Sequence, residues 1–275
     1  MLSLKQVFLE AQSNHQAIPA FNIDSFEIYQ AIESVVAQIK YPCIVQLSLG
    51  EDEFIQAEKL FLLVKKAQLE DLPIYLNMDH QHNLSRLEKL VQFGFDMVHF
   101  DGSDLEYSTN LKTTTDFIAK IKLKYPNVLI EAEFNKINPT GSQLSSQNFT
   151  NPDTAFEFIS QTKADLLAVS IGNLHGSDPT SPENLDLNLL SNIQKKLPQQ
   201  FFTLHGGSGI SQENISGAIK LGIVKVNINT DLRHQFFKSL KTNLDIQQSD
   251  KVYELFHPVI EDLKIIIKDK FLCMM

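Results

Sequence analysis

Cysteine is scarce in this chain. Cys43 and Cys273 stand alone, with no CxxC and no paired spacing, so there is no disulfide framework, as in a protein of a reducing cytoplasm. Cys43 lies in an apolar run and reads as a small core residue. Positive charge is short as well: 24 Lys and Arg face 33 Asp and Glu, a formal net charge of −9. That balance argues against a general nucleic-acid or membrane-surface binder, which needs basic patches, but leaves room for a small anion in a local pocket. No apolar run is long enough to span a bilayer, and residues 1–10 read as an amphipathic helix, not a signal peptide. The expectation is a soluble, cytoplasmic protein. Linkers, composition breaks and long repeats are missing too. What is present is 43% hydrophobic residues over 275 positions, enough for a sizeable core and too many for a disordered chain.

Short apolar runs alternate with helical periodicity along the whole length. Strands are expected at 18–23, 42–48, 73–78, 96–100, 128–133, 165–171, 201–204 and 223–227. Helices are expected at the N-terminus and at 26–40, 54–69, 84–93, 109–124, 153–162, 187–196, 211–221, 231–243 and 250–270, with Gly94 as a helix stop. Residues 134–152 lack apolar periodicity and are rich in Asn, Ser, Thr, Gln and Gly. So long a loop in a compact domain is a functional lid or is disordered. Eight strands spaced by roughly 25–35 residues predict a single-domain (β/α)8 TIM barrel over residues 1–275. An open doubly wound sheet is the alternative, but no strand is followed by GxGxxG and the regular spacing favours closure.

A barrel places its active site at the C-terminal ends of its strands. Read in order, those ends carry Asn22, Ser48, Asp79 and His80, Asp101, Glu131 and Glu133, His175, His205, and Asn227 to Thr230. Polar groups there cost desolvation unless they are paired or used. His80, His175 and His205 each follow an apolar run on a different strand, the donor set of a catalytic zinc site with one open position. Asp79, beside His80, is placed for general acid/base work. Glu131 and Glu133 share a strand face, and one of them, with Glu133 preferred, is expected at the metal or just behind its ligands. Gly176, the Gly206–Gly209 turn and Asn227 to Thr230 surround the last strands, where barrels commonly hold phosphate. The Gly206-Gly207-Ser208-Gly209 turn also leads into a helix, whose N-terminus favours anions. His99 reads as a satisfied core histidine, His82 as a bystander, and His15, His234 and His257 as loop or helix residues.

These stretches resemble a known family nearly end to end. Ala20-Phe21-Asn22 with Glu27, Gln46-Leu47-Ser48, Met78-Asp79-His80, Asp101-Gly102-Ser103 and Glu131-Ala132-Glu133 carry the likeness. Ile171-Gly172 to His175-Gly176, Leu204-His205-Gly206-Gly207-Ser208-Gly209 and Lys225-Val226-Asn227 to Thr230 continue it. All are similar to the class II, metal-dependent fructose- and tagatose-bisphosphate aldolases. The resemblance implies Zn²⁺ on His80, His175 and His205 with Glu133 near it, and a monovalent cation as a second candidate ion. It implies that Asp79 handles the proton of the aldehyde-derived hydroxyl. A triose phosphate would lie with its phosphate against Gly176, Gly206, Gly207, Ser208, Asn227, Asn229 and Thr230, and Asn22 and Ser48 would complete the substrate pocket. The reaction would be reversible cleavage of a ketose bisphosphate to dihydroxyacetone phosphate and an aldehyde. A cytoplasmic homo-oligomer (dimer or tetramer) of carbohydrate metabolism, in glycolysis, is the corresponding setting, and the apolar end 271–275 suggests a buried contact.

The departures from the family pattern are specific. No acid occurs between Phe134 and Pro152, and Gly141 stands where the family's loop glutamate moves a carbon-bound proton. Asp178-Pro179 replaces a Tyr-Lys pair, Gln81 replaces a glycine, and Leu255-Phe256-His257-Pro258 replaces an Asp-Pro-Arg segment. Two alternatives follow: a metal-dependent lyase of the same fold with a different or less phosphorylated substrate, and a metal-binding, catalytically silent sugar-phosphate-binding protein.

Overall fold

Strands whose two faces are both covered produce the observed architecture. The computed structural model describes residues 1–141, 148–176, 184–246 and 250–275. Among them, eight parallel strands close into a barrel in chain order, with the last paired to the first. They are β1 (Ile18–Asn22), β2 (Cys43–Leu47), β3 (Ile74–Gln81), β4 (Met97–Asp101), β5 (Leu129–Glu133), β6 (Leu166–Ala168), β7 (Phe201–Leu204) and β8 (Ile223–Ile228). The helices are α1 (Leu4–Ser13), α2 (Phe26–Ile39), α3 (Leu49–Ile55), α4 (Ala57–Leu69), α5 (Leu84–Phe93) and α6 (Tyr107–Lys124), then α7 (Pro152–Thr162), α8 (Leu187–Lys196), α9 (Gln212–Lys220), α10 (Thr230–Ile246) and α11 (Val252–Met274). The chain is a (β/α)8 TIM barrel.

Most expected elements stand where periodicity put them, and the exceptions have local causes. The helix expected at 54–69 is two helices, α3 and α4, because Gln56 between them takes φ 68°. The strand expected at 165–171 contracts to β6, and β3 runs on through Asp79 and His80 to Gln81. α5 has the expected bounds and ends on Gly94 at φ 111°, a left-handed cap that a Cβ would strain.

The barrel interior is layered. Its lower layer is apolar: Ala20, Ile44, Tyr75, Met97, Leu129, Leu166, Phe201 and Val224. Helix α1 closes this end with Leu4, Val7, Phe8 and Ala11, and full burial of a side chain such as Phe8 contributes about 1.5–3 kcal/mol. One inward position further along, most strands turn polar while staying buried: Asn22, Gln46, Asn77, His99, Glu131 and Thr203. A register shift between β7 and β8 sets Phe202 opposite Ile223 but Thr203 opposite Lys225. Val224 and Lys225 therefore both reach the interior, one in each layer. The alternating outward residues pack under the helices in one continuous cluster that includes Cys43.

The apolar C-terminal end is consumed within the chain itself. Phe271 and Met274 are buried in that outer cluster, with the Phe271 ring 5.6 Å from Phe21. Leu272 and Met275 remain exposed, so the buried contact expected of this end is made in part within the chain. No helix among the described residues is long and apolar enough to cross a membrane.

Candidate active site

The backbone of β3 sets the site. His80 takes φ 47°, and pairing with β4 slips between Met78 and Gln81. A left-handed conformation at a non-glycine residue costs of order 1–3 kcal/mol and tends to persist where it serves a site. Here the irregularity sends successive side chains, Asp79 and His80, toward the same cavity. Gln81, where the resembling family has glycine, is a buried strand residue whose Oε1 accepts the Asn83 N–H at 2.9 Å. The left-handed residue is therefore His80 and not its successor.

Side chains from six strands and their loops converge above the polar layer. His80 Nε2 lies 2.9 Å from His205 Nδ1, and His80 Nδ1 lies 2.8 Å from Asp101 Oδ2 and 3.8 Å from Glu133 Oε2. His205 Nε2 meets Glu131 Oε1 at 2.7 Å, and Lys225 Nζ holds the other Glu131 oxygen at 2.9 Å. Glu131 therefore takes the Nε2 proton of His205 and turns the Nδ1 lone pair to the cavity. Such a carboxylate behind an imidazole is the usual way to fix a ligand's tautomer. Asp79 accepts from Gln46 Nε2 at 3.1 Å and from Asn227 Nδ2 at 3.2 Å, with Lys225 Nζ 4.0 Å away. Among the described residues, two sets of donor atoms lie close enough to share a cation: Asp79, His80, His99 and His205, and His80, Asp101 and Glu133.

His175 stands beside these sets and outside them. Its ring is 4.7 Å from that of His80 and 5.8 Å from that of His205, and its buried Nε2 has no partner. Backbone hydrogen bonds hold it there: His175 N–H donates to Asn138 O at 2.8 Å and Thr140 N–H to His175 O at 2.7 Å. The loop after β5 is thus laced to the loop after β6.

Charge crowding sorts the three imidazoles. Burial works against a proton on His80, yet Asp79, Asp101 and Glu133 raise its pKa to about 10. Burial and the His80 charge lower His175 to about 3 and His205 to about 4. Burial opposes the charge on Asp79, but the charges on His80 and Lys225 hold its carboxyl well below the usual range. Glu133 moves the other way, pushed well above the ordinary value by burial and by Asp101. A metal site needs neutral imidazoles and one point of concentrated negative potential. His175 and His205 supply the first, and the proton drawn onto His80 marks the second. The orphaned His175 Nε2 and Glu133 Oε2 add buried acceptors without partners. The residues present fit a divalent cation.

A cavity of about 390 Å³ opens above this cluster. Its walls include Asn22, Ser48, Asp79, His80, His175, Gly176, His205, Gly206, Ser208, Asn227, Asn229 and Thr230, nearly the full set expected from the sequence. Gly207 is not in the wall. Its N–H donates to Asn227 O at 2.9 Å, and a Cβ there would meet Val226 at 2.4 Å, so it packs behind the turn and offers no donor to an anion. Gly206 is needed for a different reason. It sits at φ 69°, and a Cβ would fall 1.8 Å from Leu174 O. Gly206→Ala is therefore expected to push the β6 and β7 loops apart and to cost at least about 1–3 kcal/mol. An unchanged midpoint in denaturant unfolding would show that the turn adapts.

The structure brings further residues to the site. His99 is buried but not satisfied: its Nδ1 accepts the His80 N–H at 3.1 Å, so it is no proton donor to Asp79 Oδ1 at 3.4 Å, and its Nε2 is unpartnered. His82 lines the cavity with Nδ1 held 2.8 Å from Asp101 O. Lys225, a strand residue that the resemblance includes without a role, is the buried charge partner of Glu131. Arg233, on the first turn of α10, lines the cavity and makes no ion pair among the described residues. Of the departures from the family pattern, Asp178 and Pro179 lie outside the described residues. Residues 255–258 belong to helix α11, and Gly141 adopts φ 87°.

Comparison with known proteins gives a consistent result. Residues 2–275 match the family described as "Fructose-bisphosphate aldolase class-II". A fructose-bisphosphate aldolase of Streptococcus pneumoniae serotype 4 (strain ATCC BAA-334 / TIGR4) is 31% identical over 266 residues, covering 94% of this chain and 90% of that protein. Among solved structures, the YdjI aldolase from Escherichia coli K12 superposes with a TM-score of 0.86 at 26% identity, covering 100% of this chain and 97% of the other. A putative fructose-1,6-biphosphate aldolase from Coccidioides immitis, at 22% identity, shares the fold with a TM-score of 0.83 over 98% of this chain and 95% of the other.

Proposed function

Because the chain belongs to the class-II fructose-bisphosphate aldolase family, and is thereby an aldolase-type enzyme, we propose that it is zinc-dependent and cleaves a ketose bisphosphate, such as fructose- or tagatose-1,6-bisphosphate. The products are dihydroxyacetone phosphate and an aldehyde. The observation that carries this reading is the convergence of His80, His205 and the orphaned His175 Nε2 beside Asp79 at the floor of one cavity. His80, His175 and His205 would hold the ion, with Glu133 close by. A zinc ion there supplies Lewis-acid polarisation of the substrate's oxygens.

The remaining work falls to the chain's own groups. Asp79, ionised and held by the Gln46 and Asn227 amides, takes the hydroxyl proton from the aldehyde half as the carbon–carbon bond breaks. In the reverse direction it returns that proton. Glu131, anchored by Lys225, keeps His205 in one tautomer. The phosphate of the triose half lies against Gly176, Gly206, Ser208 and Thr230 at the start of α10, where the helix dipole favours an anion, while the Asp231, Leu232 and Arg233 N–H groups are engaged within the chain. Arg233 adds the cation at that end. Lys136, the other cation in the cavity wall, is engaged by Asp104 at 2.6 Å. That shortage of free cations favours a second reading, the same reaction on a substrate with one phosphate.

The loop after β5 has no acid to move the carbon-bound proton, and the φ of 87° at Gly141 disfavours a glutamate side chain there. Exchange of the dihydroxyacetone phosphate C1 proton with solvent is therefore expected to be slow. Turnover should fall well below the ~10 s⁻¹ of a typical enzyme. The test is release of dihydroxyacetone phosphate from both bisphosphates by the zinc-loaded and the chelated protein. Release that is lost on chelation and restored by zinc supports the reading. Equal rates from verified metal-free protein would remove zinc from it, and no release from either substrate would remove the bisphosphates.

A further inference from the structure

We propose that Glu51 is a positioning residue that holds both flanks of the cavity, the amides of Asn22 and Asn229 and the backbone at Ser48, in the orientation ligand binding needs. This rests on the cavity being the substrate site proposed above. Glu51 lies on α3, which no expected catalytic residue occupies, and its carboxylate is the meeting point of three donors. Oε2 accepts the Ser48 N–H at 2.6 Å and Asn22 Nδ2 at 2.8 Å, and Oε1 accepts Asn229 Nδ2 at 2.9 Å. Asn22 comes from β1, Ser48 follows β2 and Asn229 follows β8, and all three line the cavity. Asn22 Oδ1 in turn accepts Gln46 Nε2 at 2.9 Å, and the same Gln46 nitrogen donates to Asp79. One carboxylate thus ties the phosphate side of the cavity to the network that holds Asp79.

Three converging N–H donors are held most strongly by an ionised, acceptor-only carboxylate. A protonated carboxyl would give its O–H to Asp24, which hydrogen-bonds to Glu51, and as a neutral acceptor would hold the three donors more weakly. The charge has opponents. Burial, and then Asp24 from the β1–α2 connection, push the Glu51 carboxyl up to about 7, while the Ser48 and Asn22 bonds pull it down. Other charges nearby are Arg233 from α10, which shares a groove with Asp24 and Glu51, and Asp52 on α3, which Arg86 engages at 2.7 Å. Asp79 lies three hydrogen bonds away, through Asn22 and Gln46. The arrangement is poised so that acidification through neutrality weakens the hold on both asparagines.

The experiment compares wild type, Glu51→Gln and Glu51→Ala, each zinc-loaded, with metal content and melting temperature measured. Dihydroxyacetone phosphate binding is titrated calorimetrically from about pH 5.5 to about pH 8.5, and the asparagine side-chain NH₂ signals are followed by NMR without ligand. The ligand's own phosphate titration is common to all three proteins and cancels in the comparison. Wild type is expected to lose affinity as pH falls below about 7, with two asparagine signals sharing that midpoint. Glu51→Gln should keep its metal and fold, bind roughly 10-fold or more weakly at high pH, as loss of hydrogen bonds to a charged group implies, and lack both the shared midpoint and the extra acid-side loss. A Gln variant that matches wild type in affinity and pH profile overturns the proposal, as does weakening that only tracks lost metal or melting temperature. A shared midpoint in wild type without dihydroxyacetone phosphate binding supports the hub and overturns the substrate reading instead.

Discussion

Asp79→Asn is expected to keep its metal and to lose turnover by roughly 10²–10⁴-fold, the usual worth of a positioned proton-transfer group. Asparagine preserves the shape that the Gln46 and Asn227 amides recognise but cannot take a proton. It also presents an NH₂ to two donors that now approach at 3.1 and 3.2 Å, so one amide must turn. Asp79 belongs to one of the two groups able to share a cation, which makes metal content the deciding control. Retained metal with lost turnover assigns the proton to Asp79. Joint loss of metal and activity would make it a ligand or a structural residue. A second control is the melting temperature, because the variant removes one buried negative charge while Lys225 keeps Glu131 as a partner.

His205→Ala should strip the metal. We expect the wild-type protein as purified to hold about one divalent ion per chain, as a three-histidine site implies. Losing a partner that merely orients a ligand typically costs 10–100-fold in metal affinity, so removing a ligand itself should exceed that range. The variant leaves Glu131 paired with Lys225 at 2.9 Å, which limits the damage to the fold and separates metal loss from unfolding. Elemental analysis after dialysis decides the matter, with circular dichroism as the folding check. Stoichiometric zinc in a folded His205→Ala protein would mean that the ion, if present, sits on His80, Asp101 and Glu133 and not on the three histidines.

Strand and helix order, barrel closure and the upper rim of the cavity were determined by the sequence alone. The reason is that period-two and period-3.6 patterns, glycine stops and polar strand ends are local features, written within ten or twenty residues of one another. Asn22, Asp79, His80, Asp101, Glu133 and His205 could all be located as strand ends without knowing what lay beside them. The second polar layer was written there too, in His99 two residues before Asp101 and Asn77 two before Asp79, but it was read as ordinary strand.

What only the tertiary structure decided is which of these groups meet, and in what charge state. Lys225 and Glu131 are 94 residues apart in sequence and 2.9 Å apart in space. Nothing local reports that distance, because it depends on the closure of eight strands and on a one-residue slip between β7 and β8. The same holds for His175, whose place beside the cluster depends on two loops pairing, and for Gly207, whose turn position resembles that of Gly206 until packing buries it. Glu51 is the clearest case. In sequence it is one more acid on a short polar segment; its three donors come from β1, the end of β2 and the end of β8, which barrel closure brings together around a single carboxylate.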